Sequence, residues 1–331
     1  MPQADVSETS PVASVAPSLF DLRGKRVFVA GHRGMAGSAI ARRLQPEGCE
    51  ILVADRRAFD LTRQEQIERY LADIRPDAVV MAAGRVGGIV ANDRYPANYL
   101  AENLAMALNC IHASHLVGVK KLVYLGSTCI YPKFAKQPMS EDQLMTGELE
   151  PTNQWYAIAK IAGIKLCESY RRQFGDDFVS VMPTNLYGPG DNYHPEHSHV
   201  VPALIRRIHE AKTANAPTVT VWGTGKPRRE FLYVDDFADA CVFVLKHYSD
   251  AQFINIGCGE DITIADFAAL VAEVVGYQGQ IVYDRSKPDG TPRKLVDVSR
   301  LAALGWTPKM PLREGLEAAY ADFRTQAIRE R

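Results

Sequence analysis

The feature that most constrains this chain is a short apolar run that ends in three spaced glycines. Arg26-Val-Phe-Val-Ala30 leads straight into Gly31-His-Arg-Gly34-Met-Ala-Gly37, and a helical pattern follows from Gly37 to Leu44. A strand, a G-x-x-G-x-x-G turn and a helix in that order leave few α/β folds open. Glycine lets the turn bend sharply and lets backbone approach a pyrophosphate. The N–H groups at the start of the helix then point at the phosphates. Three glycines alone are equally consistent with a tight turn that holds nothing. The strand before and the helix after favour a dinucleotide.

The same pattern repeats. Glu50-Ile-Leu-Val-Ala-Asp55, Asp77-Ala-Val-Val-Met-Ala-Ala83, Lys121-Leu-Val-Tyr-Leu125 and Phe178-Val-Ser-Val-Met182 are short apolar runs without polar alternation. Such runs are strands covered on both faces. Amphipathic stretches lie between them, among them Gln64 to Asp73. Strand and helix alternating this way predict a parallel sheet with right-handed crossovers. Past residue 186 the regularity weakens. Gly188-Pro-Gly190 and Asn192-Tyr-His-Pro195 read as loops, and a helix is expected from Pro202 to Ala214. Phe231 to Asp236 reads as a strand-to-helix step and Phe253 to Ile256 as one more strand. Residues 260–320 read as a mixed small lobe with a late helix from Leu312. No repeat is visible.

Composition adds exclusions. The 331 residues suffice for one large domain or two unequal lobes, and the net charge of -1 calls for neither nucleic acid nor an anionic membrane. Six cysteines lack C-x-x-C spacing and read as reduced thiols, mostly in the core. No apolar run is long enough to cross a bilayer. Residues 1–18 carry Pro, Ser and Ala without the basic start and apolar stretch of a secretory signal. They read as a disordered tail, and a cytoplasmic location is expected. His194, His197 and His199 near Glu196 fit no compact tetrahedral pattern, so a polar loop is expected there and no metal.

The end of the second strand bears on the cofactor. Asp55 stands where a carboxylate holds the ribose hydroxyls of NAD. Arg56 and Arg57 follow it, and Arg33 lies in the glycine loop. Guanidinium groups suit a 2′-phosphate. The two signals conflict, and Arg56 and Arg57 also read as a solvated face. Three arginines converging on one region favour NADP(H).

A catalytic pattern follows. Ser127 comes just after the fourth strand, in Leu125-Gly-Ser-Thr-Cys129. Tyr156 and Lys160 form a Y-x-x-x-K motif that puts both side chains on one helix face. Hydride reduction of a ketone leaves an alkoxide that must be protonated. A free tyrosine has a pKa of about 10, so proton transfer near neutrality gains from a cation contributing on the order of 4 kcal/mol. Lys160 supplies that charge and can hold a nicotinamide ribose. Ser127 steadies the carbonyl oxygen. In isolation Y-x-x-x-K reads as a surface pair, but its context after a glycine loop and a Gly-Ser strand end makes it specific.

With these residues in view, the chain resembles the extended short-chain dehydrogenases/reductases that act on nucleotide sugars, and within them the GDP-L-fucose synthase family. The stretches that carry the likeness are Gly31 to Ile40, Val86-Gly-Gly-Ile-Val-Ala-Asn92, Cys129-Ile-Tyr-Pro-Lys133 and Glu150-Pro-Thr-Asn153. Tyr156 to Glu168, Pro183-Thr-Asn-Leu-Tyr-Gly188 and Lys287-Pro-Asp-Gly-Thr-Pro-Arg-Lys294 complete them. Only the tail has no counterpart. The resemblance implies an α/β fold, a Rossmann-type parallel sheet flanked by helices with a smaller mixed α/β substrate-binding lobe toward the C-terminus. The implied division gives residues 20–186 and 231–256 to the NADP-binding domain, and 187–230 and 257–325 to the lobe.

The implied activity is 3,5-epimerisation of GDP-4-keto-6-deoxy-D-mannose followed by NADPH-dependent reduction at C4. The resemblance makes Cys129 and His199 the epimerase residues. The chemistry agrees. A C4 ketone acidifies the hydrogens at C3 and C5, and a thiol of pKa about 8.5 and an imidazole of about 6.5 bracket neutrality. Without that context a lone cysteine after a strand reads as a core thiol. For the cofactor it implies Gly31, Arg33, Gly34, Met35, Gly37, Asp55, Arg56, Tyr156, Lys160 and Asn185. For the nucleotide sugar it implies Asn185, Arg207, Trp222, Arg229 and Lys294. Bland readings stand beside these: Arg207 as a solvent-facing helix arginine, Trp222 as core. Arg85 stands where relatives often carry lysine.

Two alternatives remain. Another nucleotide-sugar epimerase or reductase of the same superfamily is the near one. A dehydratase tends to carry an acidic pair after the serine, where this chain has Thr128 and Cys129. A catalytically inactive NADP-sensing protein is the distant one, and the retained Ser127, Tyr156 and Lys160 argue against it. The resemblance also implies a homodimer paired through helices into a four-helix bundle.

Overall fold

The computed structural model describes residues 15–55, 59–195, 198–287 and 289–325, with Ile89 described in its backbone only. Strand β1 (Arg26–Ala30) is followed by helix α1 (Met35–Leu44), β2 (Glu50–Leu52), α2 (Gln64–Ile74) and β3 (Ala78–Met81). Then come α3 (Ile89–Arg94), α4 (Pro96–Leu116), β4 (Lys121–Leu125), α5 (Gln154–Phe174) and β5 (Phe178–Pro183). The second half begins with β6 (Asn185–Tyr187), α6 (Val200–Thr213), β7 (Thr218–Trp222), β8 (Arg228–Arg229), β9 (Phe231–Tyr233) and α7 (Val234–His247). It ends with β10 (Ile254–Ile256), β11 (Ile262–Thr263), α8 (Ile264–Val275), β12 (Gln280–Asp284), β13 (Arg293–Lys294), α9 (Ser299–Ala303) and α10 (Leu312–Thr325).

The main sheet has six parallel strands in the order β10-β5-β4-β3-β1-β2. The order reverses direction at β1, the doubly wound arrangement that opens a crevice at the strand ends. Continuous apolar runs are explained by two cores, one on each face. Val27, Val29, Ala78, Val80, Val123, Leu125, Val179 and Val181 point to the face covered by α1 and α7. Phe28, Ala30, Val79, Met81, Leu122, Tyr124, Phe178 and Met182 point to the face covered by α2, α4 and α5. Alternate residues of each strand thus enter opposite cores. Each valine, leucine, phenylalanine or methionine among them contributes about 1.5–3 kcal/mol by leaving water.

A third core fills the C-terminal lobe, where Leu204 and Ile208 of α6, Phe267 and Val271 of α8, and Leu316 and Phe323 of α10 meet. Three small sheets frame it: β11-β8-β13, the parallel pair β12-β7 and the parallel pair β6-β9. The sequence expectation ran the second strand to Asp55, but the ladder stops at Leu52 and the chain turns toward the glycine loop. Helix α6 starts two residues before Pro202, with proline in its first turn where a missing N–H costs nothing. Residues 1–14 of the expected tail lie outside the described residues. From Ala16 the chain is tied down: its N–H bonds the Leu304 carbonyl at 2.9 Å, and that of Leu19 bonds Lys246 at 2.6 Å. No helix among the described residues is long and apolar enough to cross a membrane.

Candidate active site

The glycine loop is shaped by close approach. Gly31 has φ +89°, and a Cβ on it would lie 2.6 Å from the Ala83 nitrogen. A Cβ on Gly37 would lie 2.2 Å from the Gly31 carbonyl oxygen. Both positions are closed to any side chain, because β1, β3 and α1 meet there. Gly34 is different. It precedes α1 with no side-chain cap, and a Cβ there would meet only the Gly31 oxygen at 3.5 Å. The loop therefore leaves the first N–H groups of α1, from Met35 on, uncapped at the crevice, a cradle that fits a pyrophosphate.

At the cradle's edge Arg33 forks onto Asp55, with Nη1–Oδ1 at 3.1 Å and Nη2–Oδ2 at 2.5 Å. The carboxylate that would take ribose hydroxyls is thus engaged by a guanidinium whose side chain is two-thirds exposed (66 %). Arg56 lies outside the described residues, as do Arg57, Glu196 and His197.

Ser127 lies two residues past β4 and opens a single 3₁₀ turn, Thr128–Ile130; its Oγ accepts from the Cys129 N–H at 3.4 Å. Tyr156 and Lys160 project from α5 toward that turn. Burial pushes the Tyr156 phenol well up, the nearby Cys129 thiol adds to this, and a hydrogen bond with Ser127 opposes it. Tyr99 stands edge-on to Tyr156 with ring centroids 6.3 Å apart. Lys160 is buried, donates to the Leu125 carbonyl at 2.7 Å and lies 5.7 Å from the Tyr156 ring centre. Burial lowers its pKa to about 8, so its charge is held close to neutrality.

Cys129 is buried on the same turn. Burial raises its thiol pKa, while the Lys294 and Lys160 charges and the Ser127 bond pull it back. His199 precedes α6 and makes no cap bond with that helix. Crowding by protein lowers its pKa and the Lys294 charge lowers it further. Yet His199 is exposed to water, so the crowding effect is weaker than in a dry core. Lys294 is the common neighbour: it acts on both Cys129 and His199, and Arg229 acts on it. The structure thus brings Ser127, Cys129, Tyr156, Lys160, His199 and Lys294 into one electrostatic neighbourhood.

The remaining candidates line the way out. Arg229 on β8 donates to its neighbour's carbonyl at 2.8 Å and to the Asp289 carbonyl at 3.4 Å; burial brings its pKa down to about 10. Asp289 in turn binds Thr224 through N–H (2.7 Å) and hydroxyl (2.8 Å). Two residues back, Trp222 is 48 % exposed and therefore not core. Arg207 lies 5.0 Å and Lys287 5.4 Å from its ring centre. Arg207 also donates to the Thr220 carbonyl at 3.2 Å. Asn185, on a short strand of its own, gives one amide hydrogen to the Glu230 carbonyl at 2.8 Å.

Sequence reasoning passed over Asp289, Tyr99 and Glu230. Asp289 lies inside a stretch that carried the resemblance, so its signal was at hand. Glu230 too lies in a family-like run, Arg228 to Asp236, whereas Tyr99 gave no signal because its partners come from distant segments. Glu230 is wholly buried, and its carboxylate accepts from the N–H groups of Cys258 (2.7 Å), Gly259 (2.8 Å) and Val296 (2.9 Å). The other cysteines are unpaired; Cys110, Cys167 and Cys241 are core.

Comparison with known proteins agrees with this geometry. Residues 27–257 match the NAD dependent epimerase/dehydratase family. A GDP-L-fucose synthase of Sinorhizobium fredii is 56 % identical over 305 residues, 92 % of this chain and 97 % of the relative. A C. jejuni GDP-6-OMe-4-keto-L-xylo-heptose reductase superposes with a TM-score of 0.86 at 34 % identity, covering 92 % of this chain and 99 % of that one. A GDP-L-fucose synthetase from Naegleria fowleri bound to NADP gives 0.84 at 26 % identity, covering 95 % and 98 %. Identity carried across nine-tenths of both chains, over a sheet and glycine cradle of this form, has one reading: this chain belongs to the NAD dependent epimerase/dehydratase family.

Proposed function

We propose that this chain converts GDP-4-keto-6-deoxy-D-mannose to GDP-L-fucose, inverting C3 and C5 and then reducing C4 with NADPH. Its support is the cluster in which Cys129, Lys294 and His199 adjoin Ser127, Tyr156 and Lys160, together with the relatives that carry this activity in their names. A plain reductase has no use for a thiol and an imidazole sharing one ammonium.

The C4 ketone acidifies C3–H and C5–H. Lys294 favours the Cys129 thiolate, which biases Cys129 toward taking the proton. A lowered His199 pKa makes its protonated form the stronger acid, suited to returning a proton on the opposite face. Ser127 and Tyr156 hold the oxygen that carries the enolate charge. NADPH, when bound, supplies hydride to C4. Tyr156 then protonates the C4 oxygen, and Lys160 holds the ribose and lends charge.

The glycine cradle at Gly31, Gly34, Met35 and Gly37 takes the pyrophosphate. Arg33 and Arg56 serve the 2′-phosphate, with Asp55 held aside by Arg33. Residues 187–230 and 257–325 form the substrate lobe. There Arg229, Arg207 and Asn185 serve the diphosphate and sugar, and Trp222 offers its exposed face to the base. The enzyme works as a homodimer in the cytoplasm. Leu104, Leu108 and Leu116 of α4 and Trp155 and Ile158 of α5 make an exposed apolar face suited to a second copy. Light scattering at the monomer mass removes the dimer.

The deciding assay supplies GDP-4-keto-6-deoxy-D-mannose with NADPH or NADH in separate reactions and identifies the product by NMR. GDP-L-fucose formed faster with NADPH supports the proposal. A C4-reduced sugar with C3 and C5 unchanged leaves a simple reductase.

A further inference from the structure

We infer that the segment from Gly88 into the start of α3 positions His199 for epimerisation, with Asn92 as its pin and Gly88 as its contact point. The inference rests on the acid/base role proposed for His199.

Gly88 packs against the segment that carries His199: a Cβ on Gly88 would lie 2.9 Å from the Ser198 carbonyl oxygen. No real Cβ tolerates that distance, so any side chain there displaces Ser198. Asn92 fixes Gly88. The Asn92 amide nitrogen donates to the Gly87 carbonyl at 2.7 Å and to the Gly88 carbonyl at 3.0 Å, and the Asn92 N–H bonds the Gly88 carbonyl at 3.1 Å. The side chain is only 5 % exposed, and its Oδ1 is buried with no hydrogen-bond partner among the described residues. A leucine, with the same number of side-chain heavy atoms, would leave no such polar atom buried. The amide is explained by its two donated bonds, which hold the turn under Ser198.

The far side of the contact transmits the position. His199 is the last residue before α6, and its carbonyl accepts from Ala203 at 3.0 Å. The backbone that carries the imidazole is therefore set by α6 on one side and by the contact of Ser198 with Gly88 on the other. The reductase half is clamped separately. Asn103 holds Arg85 through both its N–H (2.9 Å) and its carbonyl (3.0 Å), Ser127 stands on the turn after β4, and Tyr156 and Lys160 stand on α5. A Cβ on Gly88 meets Ser198 alone within 4 Å, so a disturbance there reaches His199 first, whereas Asn92 also holds Gly87, which abuts Tyr99.

Gly88→Ala and Asn92→Leu test this, with His199→Asn as the control. For each, deuterium uptake at C3 and C5 of the keto sugar is followed in heavy water without NADPH. NADPH affinity, and kcat and KM for reducing a 4-keto sugar already inverted at C3 and C5, are measured alongside. A misplacement of about 1 Å costs on the order of a hundredfold in rate. That loss is expected in uptake for both variants, with NADPH affinity and reduction of the inverted sugar unchanged. Wild-type uptake in both variants while His199→Asn has none overturns the positioning role and leaves the function intact. Wild-type uptake in His199→Asn removes the acid/base assignment and this inference with it. Equal loss of uptake and reduction, or loss of NADPH binding, makes the loop a general structural element and also overturns it.

Discussion

The Lys294 ammonium and the Cys129 thiol act on each other: the lysine opposes the rise that burial imposes on the thiol, and the thiol opposes the fall that burial imposes on the lysine. The two residues are far apart in sequence and come from β13 and the turn after β4. Their coupling makes a buried cysteine usable as a base.

The first prediction concerns that coupling. Replacing Lys294 by methionine removes the charge that favours the thiolate, so the Cys129 pKa rises. The rate of proton exchange at C3 and C5 under saturating sugar should then need a higher pH, its rising limb moving up. A limb that stays in place assigns Lys294 to binding alone.

Tyr156→Phe separates the two chemistries. Removing the general acid should lower kcat for C4 reduction by about 10²–10⁴-fold. Exchange at C3 and C5 should fall less, because Ser127 still supports the oxygen. Stopped-flow oxidation of NADPH and NMR exchange read the two separately; equal losses contradict the division of labour.

Lys160 should cost stability. Its folded pKa of about 8 lies below the ordinary lysine value of 10.5, so the unfolded chain binds more protons between those values and stability rises with pH across that window. Below pH 8 the penalty is complete. Lys160→Met should therefore stabilise the cofactor-free protein at pH 7 by about 2 kcal/mol, allowing for the lost bond to Leu125. The gain should fade toward pH 10. Urea melts at both pH values check this, and a destabilised variant at pH 7 refutes it.

Asp55 should set cofactor preference. It engages Arg33 and repels a 2′-phosphate, so Asp55→Asn frees the guanidinium and removes a like charge. NADPH should bind about fivefold tighter and NADH weaker. Titration by fluorescence decides; tighter NADH binding contradicts the reading.

Much of this was legible in the sequence because it is local. The run Arg26–Ala30 and the spacing of Gly31, Gly34 and Gly37 are dictated by backbone geometry within a dozen residues. Tyr156 and Lys160 share a helix face through the α-helical period itself. The burial pattern of Thr218–Trp222 alternates strictly, a period-two signal that was there to be read, though its partner Gln280–Asp284 was not. What stayed hidden depends on long-range packing. Nothing near Lys294 announces that its charge acts on both Cys129 and His199. Nothing in Val86–Asn92 reveals that Gly88 abuts Ser198. Arg33 and Asp55 read as rival cofactor signals, and only the fold shows them bonded to each other.

The most direct measurement follows Cys129→Ser in heavy water with GDP-4-keto-6-deoxy-D-mannose and no NADPH. The account predicts no deuterium at C3 or C5, with NADPH affinity and C4 reduction of the inverted sugar as in wild type. Deuterium entering both carbons at the wild-type rate would contradict it and leave the thiol a packing residue.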